Sequence, residues 1–162
     1  ILDHSLTSTA CWYDADIVKA WEIHPSIELH LMVNDPEPII QAWRRMKKVK
    51  RVIWHVEAPI DHQHLIRQCR RWKLEVMIAI SPHTPLAALI PWLRSIDGVL
   101  VLGVLPGKNG RPLLPETVET VKQLHLLAPT LSIGFDGGIN ARNIIRMART
   151  GVKRLNMGSG IF

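Results

Sequence analysis

Short apolar runs recur along this chain, each closed by a polar residue or by glycine or proline: Ile27–Val33, Val52–His55, Val76–Ile80, Val99–Val104, Leu131–Phe135 and Arg154–Met157. Runs of this length, rich in Val, Ile and Leu, suit strands buried on both faces. Between them the apolar positions fall three and four apart, over Pro36–Lys48, Asp61–Lys73, Pro85–Ser95, Pro115–Leu127 and Ala141–Thr150, which predicts helices. Strands alternating with helices imply parallel βαβ units, because parallel neighbours need a long crossover between them. Six such strands without a linker or a shift in composition predict a single (β/α) barrel domain over residues 1–162. An open doubly wound sheet is the alternative.

Helix ends carry their own signals. Asn34-Asp35-Pro36-Glu37 and His83-Thr84-Pro85 each set a capping side chain ahead of a proline, whose missing N–H costs nothing in a first turn. Gly151 follows Arg149-Thr150 as a C-terminal cap should, with Arg146 and Arg149 suited to the dipole of the last turn.

Composition adds exclusions. The chain has 162 residues, 47% hydrophobic and 21% charged, which is that of a packed globular protein rather than a disordered one. Cys11 and Cys69 lie far apart and form no C-x-x-C, so neither a disulfide framework nor a zinc knuckle is expected, and a reducing cytoplasmic setting fits. No apolar run approaches the ~20 residues of a membrane span, and no export signal is seen, so no membrane association is expected. The formal charge of +6 and the basic segment Arg44–Arg51 raise the question of nucleic acid. That segment sits between a helical pattern and a strand, where a solvated helix end accounts for it, and no nucleic-acid partner is expected. The tryptophans, among them Trp43, Trp54, Trp72 and Trp92, are expected in the core, and His4, His24, His62, His64, His83 and His125 at the surface.

The candidate chemistry gathers at the C-terminal ends of the strands, where a barrel of this kind builds its active site. His30 stands in "ELHLMV", His55 and Glu57 in "VIWHVEA", Ser81 in "AISPHTP", Asp136 in "FDGGIN" and Ser159 in "MGSGIF", with the loop "LPGKNGRP" between. A carboxylate such as Asp136 can bind a cation or move a proton, and the glycines after it let backbone N–H groups approach a phosphate. Each motif alone has a structural explanation; the set is harder to dismiss.

In order and spacing, "ELHLMVNDPEPII", "WHVEA", "AISPHTP", "DGVLVLGVLPGKNG", "FDGGINARNI" and "NMGSGIF" resemble the strand-loop signatures of ribulose-phosphate 3-epimerases. The resemblance covers almost the whole chain and implies a (β/α)8 TIM barrel of the ribulose-phosphate-binding type. It implies metal-dependent epimerisation at carbon 3 of a ketopentose phosphate, D-ribulose 5-phosphate to D-xylulose 5-phosphate, through an enediolate. The substrate is thus a small phosphorylated sugar, and the cofactor one divalent cation (zinc, iron(II), manganese or cobalt). By the same resemblance His30 and Asp136 are metal ligands, Asp136 is also the acid/base, and Met32 and His55 are pocket neighbours. Gly137, Gly138, Gly158 and Ser159 hold phosphate, and Gly107 and Gly110 belong to the loop that closes over substrate. A homo-oligomer is left open.

The chain also departs from the family's pattern. Where the family's second strand carries His-x-Asp-x-Met-Asp-Gly, this chain opens with "ILDHSL", so the resemblance expects a barrel incomplete at both ends. Leu2 would stand for Met and His4 for Gly, with the second catalytic carboxylate and two further metal ligands ahead of Ile1. Arg111 occupies the place of the family's Gln, and Leu102 and Leu105 alter the pocket lining. These departures keep a second reading alive, a non-catalytic phosphosugar-binding barrel with a decayed metal site.

Overall fold

All six apolar runs form strands in the computed structural model, which describes residues 1–8, 10–11, 14–21, 24–107, 110–158 and 160. They are β1 (Ile27–Leu31), β2 (Val49–His55), β3 (Glu75–Ile80), β4 (Gly98–Leu102), β5 (Ser132–Asp136) and β6 (Arg154–Asn156). The strands pair in chain order, β1-β2-β3-β4-β5-β6, and every pair is parallel. Helices α1 (Ala15–Ala20), α2 (Glu37–Trp43), α3 (His62–Arg71), α4 (Glu116–Leu127) and α5 (Ile144–Ala148) complete the order.

Alternate residues of each strand go to two separate cores. Leu31, Trp54, Ile78, Val101 and Phe135 join a large core with Ile40 and Trp43 of α2, Leu65 of α3 and Val121 and Leu124 of α4. Ile53, Met77, Ala79, Leu100 and Leu102 form a second cluster on the opposite face, with Met32 packed against it. Among the described residues no helix contributes to that second cluster, so the inner face buries itself by curling. Six strands laid flat would hold β1 and β6 about 24 Å apart at the ordinary inter-strand spacing. Instead, Arg154 of β6 meets Glu28 of β1 at 2.8 Å. The sheet is a curled half-barrel, and the doubly wound alternative is ruled out.

The concave face is layered as a barrel interior is. Its N-terminal layer is ionic: the Arg51 guanidinium pairs with Glu28 at 2.5 Å and also with Glu75, while Arg154 shares Glu28. The middle layer is the apolar cluster, and the C-terminal layer carries His55 and Asp136.

Several local expectations are corrected. The basic segment is only partly a helix end, because α2 stops at Trp43 and Lys50 and Arg51 are already in β2, where alternation turns Arg51 inward to two carboxylates. The region 85–95 forms a short 3-10 helix, Leu86–Leu89, followed by turns, since Pro91 removes a donor and crowds the preceding turn. Neither proline-led helix start is capped by a side chain, and the Thr84 hydroxyl is instead donated to Glu57. Helix α1 was not expected from apolar spacing, although Asp14 caps it by accepting from the N–H groups of Asp16 and Ile17. His62 is buried rather than superficial, and its Nδ1 accepts the indole N–H of buried Trp54 at 3.0 Å. Trp43 is buried too, whereas Trp21 is exposed. Gly151 adopts the left-handed φ of +89° that its capping place predicts. No helix among the described residues is long and apolar enough to cross a membrane.

Arg51 is the hub of the ionic layer, with its side chain 11% exposed against 41% for Arg154. Arg51→Ala should therefore cost about 2 kcal/mol, below the ~3–5 of a fully buried broken pair because its carboxylate partners keep some water. Arg154→Ala should cost under ~1 kcal/mol. Urea unfolding of the two variants checks this, and equal losses would contradict the hub.

Candidate active site

The C-terminal layer collects side chains from β1, β2 and β5, the last of which is not a neighbour of the other two. His30, on β1, places Nδ1 3.4 Å from Oδ2 of Asp136, the last residue of β5. The other nitrogen of His30, Nε2, lies 3.0 Å from Nε2 of His55, the last residue of β2. The two rings are parallel within 7° and their centroids are 5.2 Å apart, the separation expected of rings meeting nitrogen to nitrogen, end to end. His55, 2% exposed, directs Nδ1 to Oε2 of Glu57 at 3.1 Å.

Glu57 reaches this position because β2 ends in a turn. The Val56 N–H donates to the Ala79 carbonyl, and the Ala58 N–H folds back to His55. Oε1 of Glu57 then accepts the Ser81 N–H at 2.9 Å and the Thr84 hydroxyl, both beyond β3. Burial by itself would raise the Glu57 pKa, but the hydrogen bonds from His55, Thr84 and Ser81 outweigh it and hold the value down at about 2. Burial pushes His30 down from the usual histidine value, only partly countered by Asp136.

Beside Asp136 the chain turns through Gly137 and Gly138, with φ of +97° and +72°. A Cβ on Gly138 would come 2.6 Å from the Leu113 backbone, so glycine is required there by packing as well as conformation. Gly158, after β6, faces open space. Gly110, Arg111, Asp136, Gly137, Gly138 and Gly158 border a common cavity of about 210 Å³. Gly107, with φ of +98°, shapes the preceding loop without lining that cavity. Met32 packs against the inner apolar cluster. Ser159 lies outside the described residues.

The structure thus brings together His30, His55 and Asp136 on one side and the glycine turns on the other. Glu57, named from sequence among the strand-end polar residues but given no role there, joins the first group with Thr84, which was not named for the site, and Arg111 joins the second. Two signals were available: the spacing of Glu57 two residues after His55, and a charged side chain where the resemblance has glutamine.

The His30–Asp136 separation matches the span of two donors each ~2.0–2.1 Å from one tetrahedral ion, so the pair can chelate a cation. Nitrogen and carboxylate oxygen together suit zinc and the neighbouring divalent transition metals. His55 is not a third donor in this arrangement, since its Nε2 is turned to His30 and its Nδ1 to Glu57. Among the described residues, no group of three or more His, Cys, Asp or Glu side chains could hold a metal ion.

The sequence profile of the Ribulose-phosphate 3 epimerase family matches residues 13–162. The chain belongs to the ribulose-phosphate 3-epimerase family. It is 30% identical over 151 residues to the ribulose-phosphate 3-epimerase of Schizosaccharomyces pombe, covering 90% of this chain and 66% of that one. It is 30% identical over 163 residues to the Mycoplasma pneumoniae enzyme of the same name, covering 99% and 74%. The cytoplasmic isoform of Oryza sativa is 29% identical over 154 residues, covering 91% and 67%. This epimerase-family chain therefore spans about two thirds of the relatives' length. Among solved structures, a mutant tryptophan synthase alpha-subunit from Pyrococcus furiosus superposes with a TM-score of 0.65 at 16% identity, covering 84% of this chain and 57% of that one. At that identity the likeness establishes the barrel fold alone.

Because the folded pKa of Glu57 lies below its ordinary value of 4.5, the stability it contributes is complete above that value and drains away as pH falls through about 2. Glu57→Gln lacks this component. Urea titrations should therefore show the stability gap between the native chain and Glu57→Gln narrowing from pH 4.5 downward; a constant gap would mean that Glu57 is not held as a carboxylate.

Proposed function

We propose that this chain serves the carbon-3 epimerisation of a ketopentose phosphate, D-ribulose 5-phosphate to D-xylulose 5-phosphate. The observation that carries the reading is the convergence of His30 and Asp136 at 3.4 Å beside the glycine-lined cavity. Family membership supports the reaction type.

In this reading the Asp136 carboxylate serves one face of carbon 3, taking up the proton in one direction of reaction and delivering one in the other, while a second acid/base group serves the opposite face, as inversion at a carbon requires. His30 and Asp136 would hold one divalent cation, which when bound stabilises negative charge beside the substrate carbonyl as a Lewis acid. Gly137, Gly138 and Gly158, with Ser159, bind the phosphate through backbone N–H groups, and the Arg111 guanidinium adds charge at the cavity wall. The buried floor of Met77, Leu100 and Leu102 keeps bulk water from the reacting carbon. Gly107 and Gly110 allow the loop between β4 and α4 to close over the sugar.

A second reading, a phosphosugar-binding barrel without catalysis, draws on the fact that the described residues provide only two converging donors, whereas catalytic zinc sites normally take three from the protein. Asp136→Asn separates the two. Assayed with ribulose 5-phosphate in the presence of zinc, manganese or iron(II), the epimerase reading expects turnover to fall by ~10²–10⁴ with sugar-phosphate binding retained. Absence of turnover in the unaltered protein, with binding intact, would favour the binder.

The phosphate assignment has a test that does not disturb folding. Gly158 has room for a side chain, so Gly158→Val should leave the melting temperature unchanged while filling the cavity. Together with Arg111→Gln it should weaken sugar-phosphate binding by about tenfold or more in calorimetric titration. Unaltered affinity in both variants would remove the assignment.

A further inference from the structure

The formal charge of +6 gathers at one end of the molecule. Because every strand pair is parallel, the segments 44–48, 70–74, 90–97, 126–131 and 149–153, which lead into β2 to β6, all lie at the N-terminal end of the sheet, away from His30 and Asp136. Arg44, Arg45, Lys47 and Lys48 stand exposed before β2, and Arg70, Arg71 and Lys73 before β3. Arg94 stands exposed before β4, and Arg149 and Lys153 before β6. Among the described residues of these segments Asp97 is the one carboxylate, and Arg70 already pairs with it at 2.6 Å. At the opposite end, among the described residues, Asp35, Glu57, Asp61 and Asp136 stand with Arg111 and Arg142, so the two ends differ in sign.

Contacts join the basic segments into one surface. The Arg44 guanidinium lies 4.8 Å from the Trp72 ring centroid, and Arg70 reaches both Asp97 and the Ser95 carbonyl, so the approaches to β2, β3 and β4 are continuous. Arg94, Ile90 and Leu127 border one groove of about 640 Å³, and His125 of α4 lies against Gly151 ahead of β6. The cations therefore flank an apolar stretch in which Ile90, Leu126 and Leu127 are 56%, 83% and 53% exposed. We propose that this end of the protein docks on an anionic lipid bilayer, with its cations on the headgroups and these three side chains at the acyl boundary.

Helix dipoles do not account for the pattern. A dipole favours a cation in the last turn, whereas Arg45, Lys47, Lys48 and Lys73 lie beyond the ends of α2 and α3, where a solvated connection could carry either sign. Like charges gathered on one face repel one another, and a negative surface relieves that repulsion. A nucleic acid would use the cations but not the leucines. Single strands stack their bases on exposed aromatic rings, and Trp72 is half-buried with a guanidinium already over it. A second copy of this face would set cation against cation. A bilayer uses both features, since each cation near anionic lipid adds attraction and each exposed leucine leaves water at the boundary. Such a surface needs neither a spanning run nor an export signal, the two features whose absence led the sequence to predict no membrane association. Docked this way, the end carrying His30 and Asp136 faces water, open to a soluble sugar phosphate.

Co-sedimentation of the full chain with lipid vesicles tests the proposal. At about 0.1 M sodium chloride, binding to vesicles of phosphatidylcholine and phosphatidylserine at roughly 3:1 should exceed binding to phosphatidylcholine alone by about tenfold or more, and about 1 M salt should remove most of the difference. Lys47→Glu combined with Arg71→Glu and Lys153→Glu should weaken binding by about tenfold or more, and Leu126→Ser combined with Leu127→Ser by about threefold or more. Arg142→Glu, at the opposite end, should leave binding within about twofold. All these positions are exposed, so melting temperatures should stay at the native value. Where charge reversal lowers the melting temperature, Lys47→Gln with Lys153→Gln keeps the test, with a loss of about threefold expected. Equal affinity for the two kinds of vesicle, or equal losses in the lysine, leucine and Arg142 variants, would overturn the proposal. Binding of a polyuridylate oligonucleotide without binding of the anionic vesicles would overturn it too, and would assign the face to nucleic acid.

Discussion

A parallel sheet buries both faces, and here the two faces are buried in different ways. The outer face rests on the helices, as in any βαβ array. Among the described residues no helix covers the inner face, which is buried by curling until Ile53, Met77, Ala79, Leu100 and Leu102 meet. That apolar plug is the constraint on which the rest depends. It sets the curvature, brings the first and last strands close enough for Glu28 and Arg154 to pair, and separates an ionic layer below from a histidine and carboxylate layer above.

The site follows from that curvature. His30, His55 and Asp136 stand on β1, β2 and β5, and β1 and β5 are not hydrogen-bonded neighbours. Their side chains meet only because the inner face is concave and the strand ends rise above the plug. Burial is shallow enough at His30 and Asp136 for a ligand to reach them and deep enough at His55 to demand that every polar atom find a partner. Glu57 meets that demand from a turn rather than a strand, and it does so at the expense of the expected cap, since Thr84 serves Glu57 rather than a helix start.

The comparisons divide along the same line. The fold is shared with the tryptophan synthase alpha-subunit at 16% identity, through the pattern of alternate burial that many sequences satisfy. Family membership rests on more: a profile match over residues 13–162 and 30% identity to relatives of that name. Arg111, at the place of the glutamine of the resemblance, puts a basic residue on the wall of the glycine-bordered cavity.

By itself the sequence determined the strands, their parallel order and the strand ends where polar residues collect, because short continuous apolar runs and helical spacing are local properties that each segment carries alone. It also placed His30, Asp136 and the paired glycines in motifs with a recognisable order. Only the tertiary structure decided that the sheet curls, that Arg51 turns inward from a run of surface-like basic residues, and that Pro91 halts a segment whose spacing looked helical. It alone decided the contacts of His30, one nitrogen toward Asp136 and the other toward His55. Those contacts join residues far apart in the chain, and hydrogen bonding depends on distance and direction in space, which no spacing along the sequence encodes.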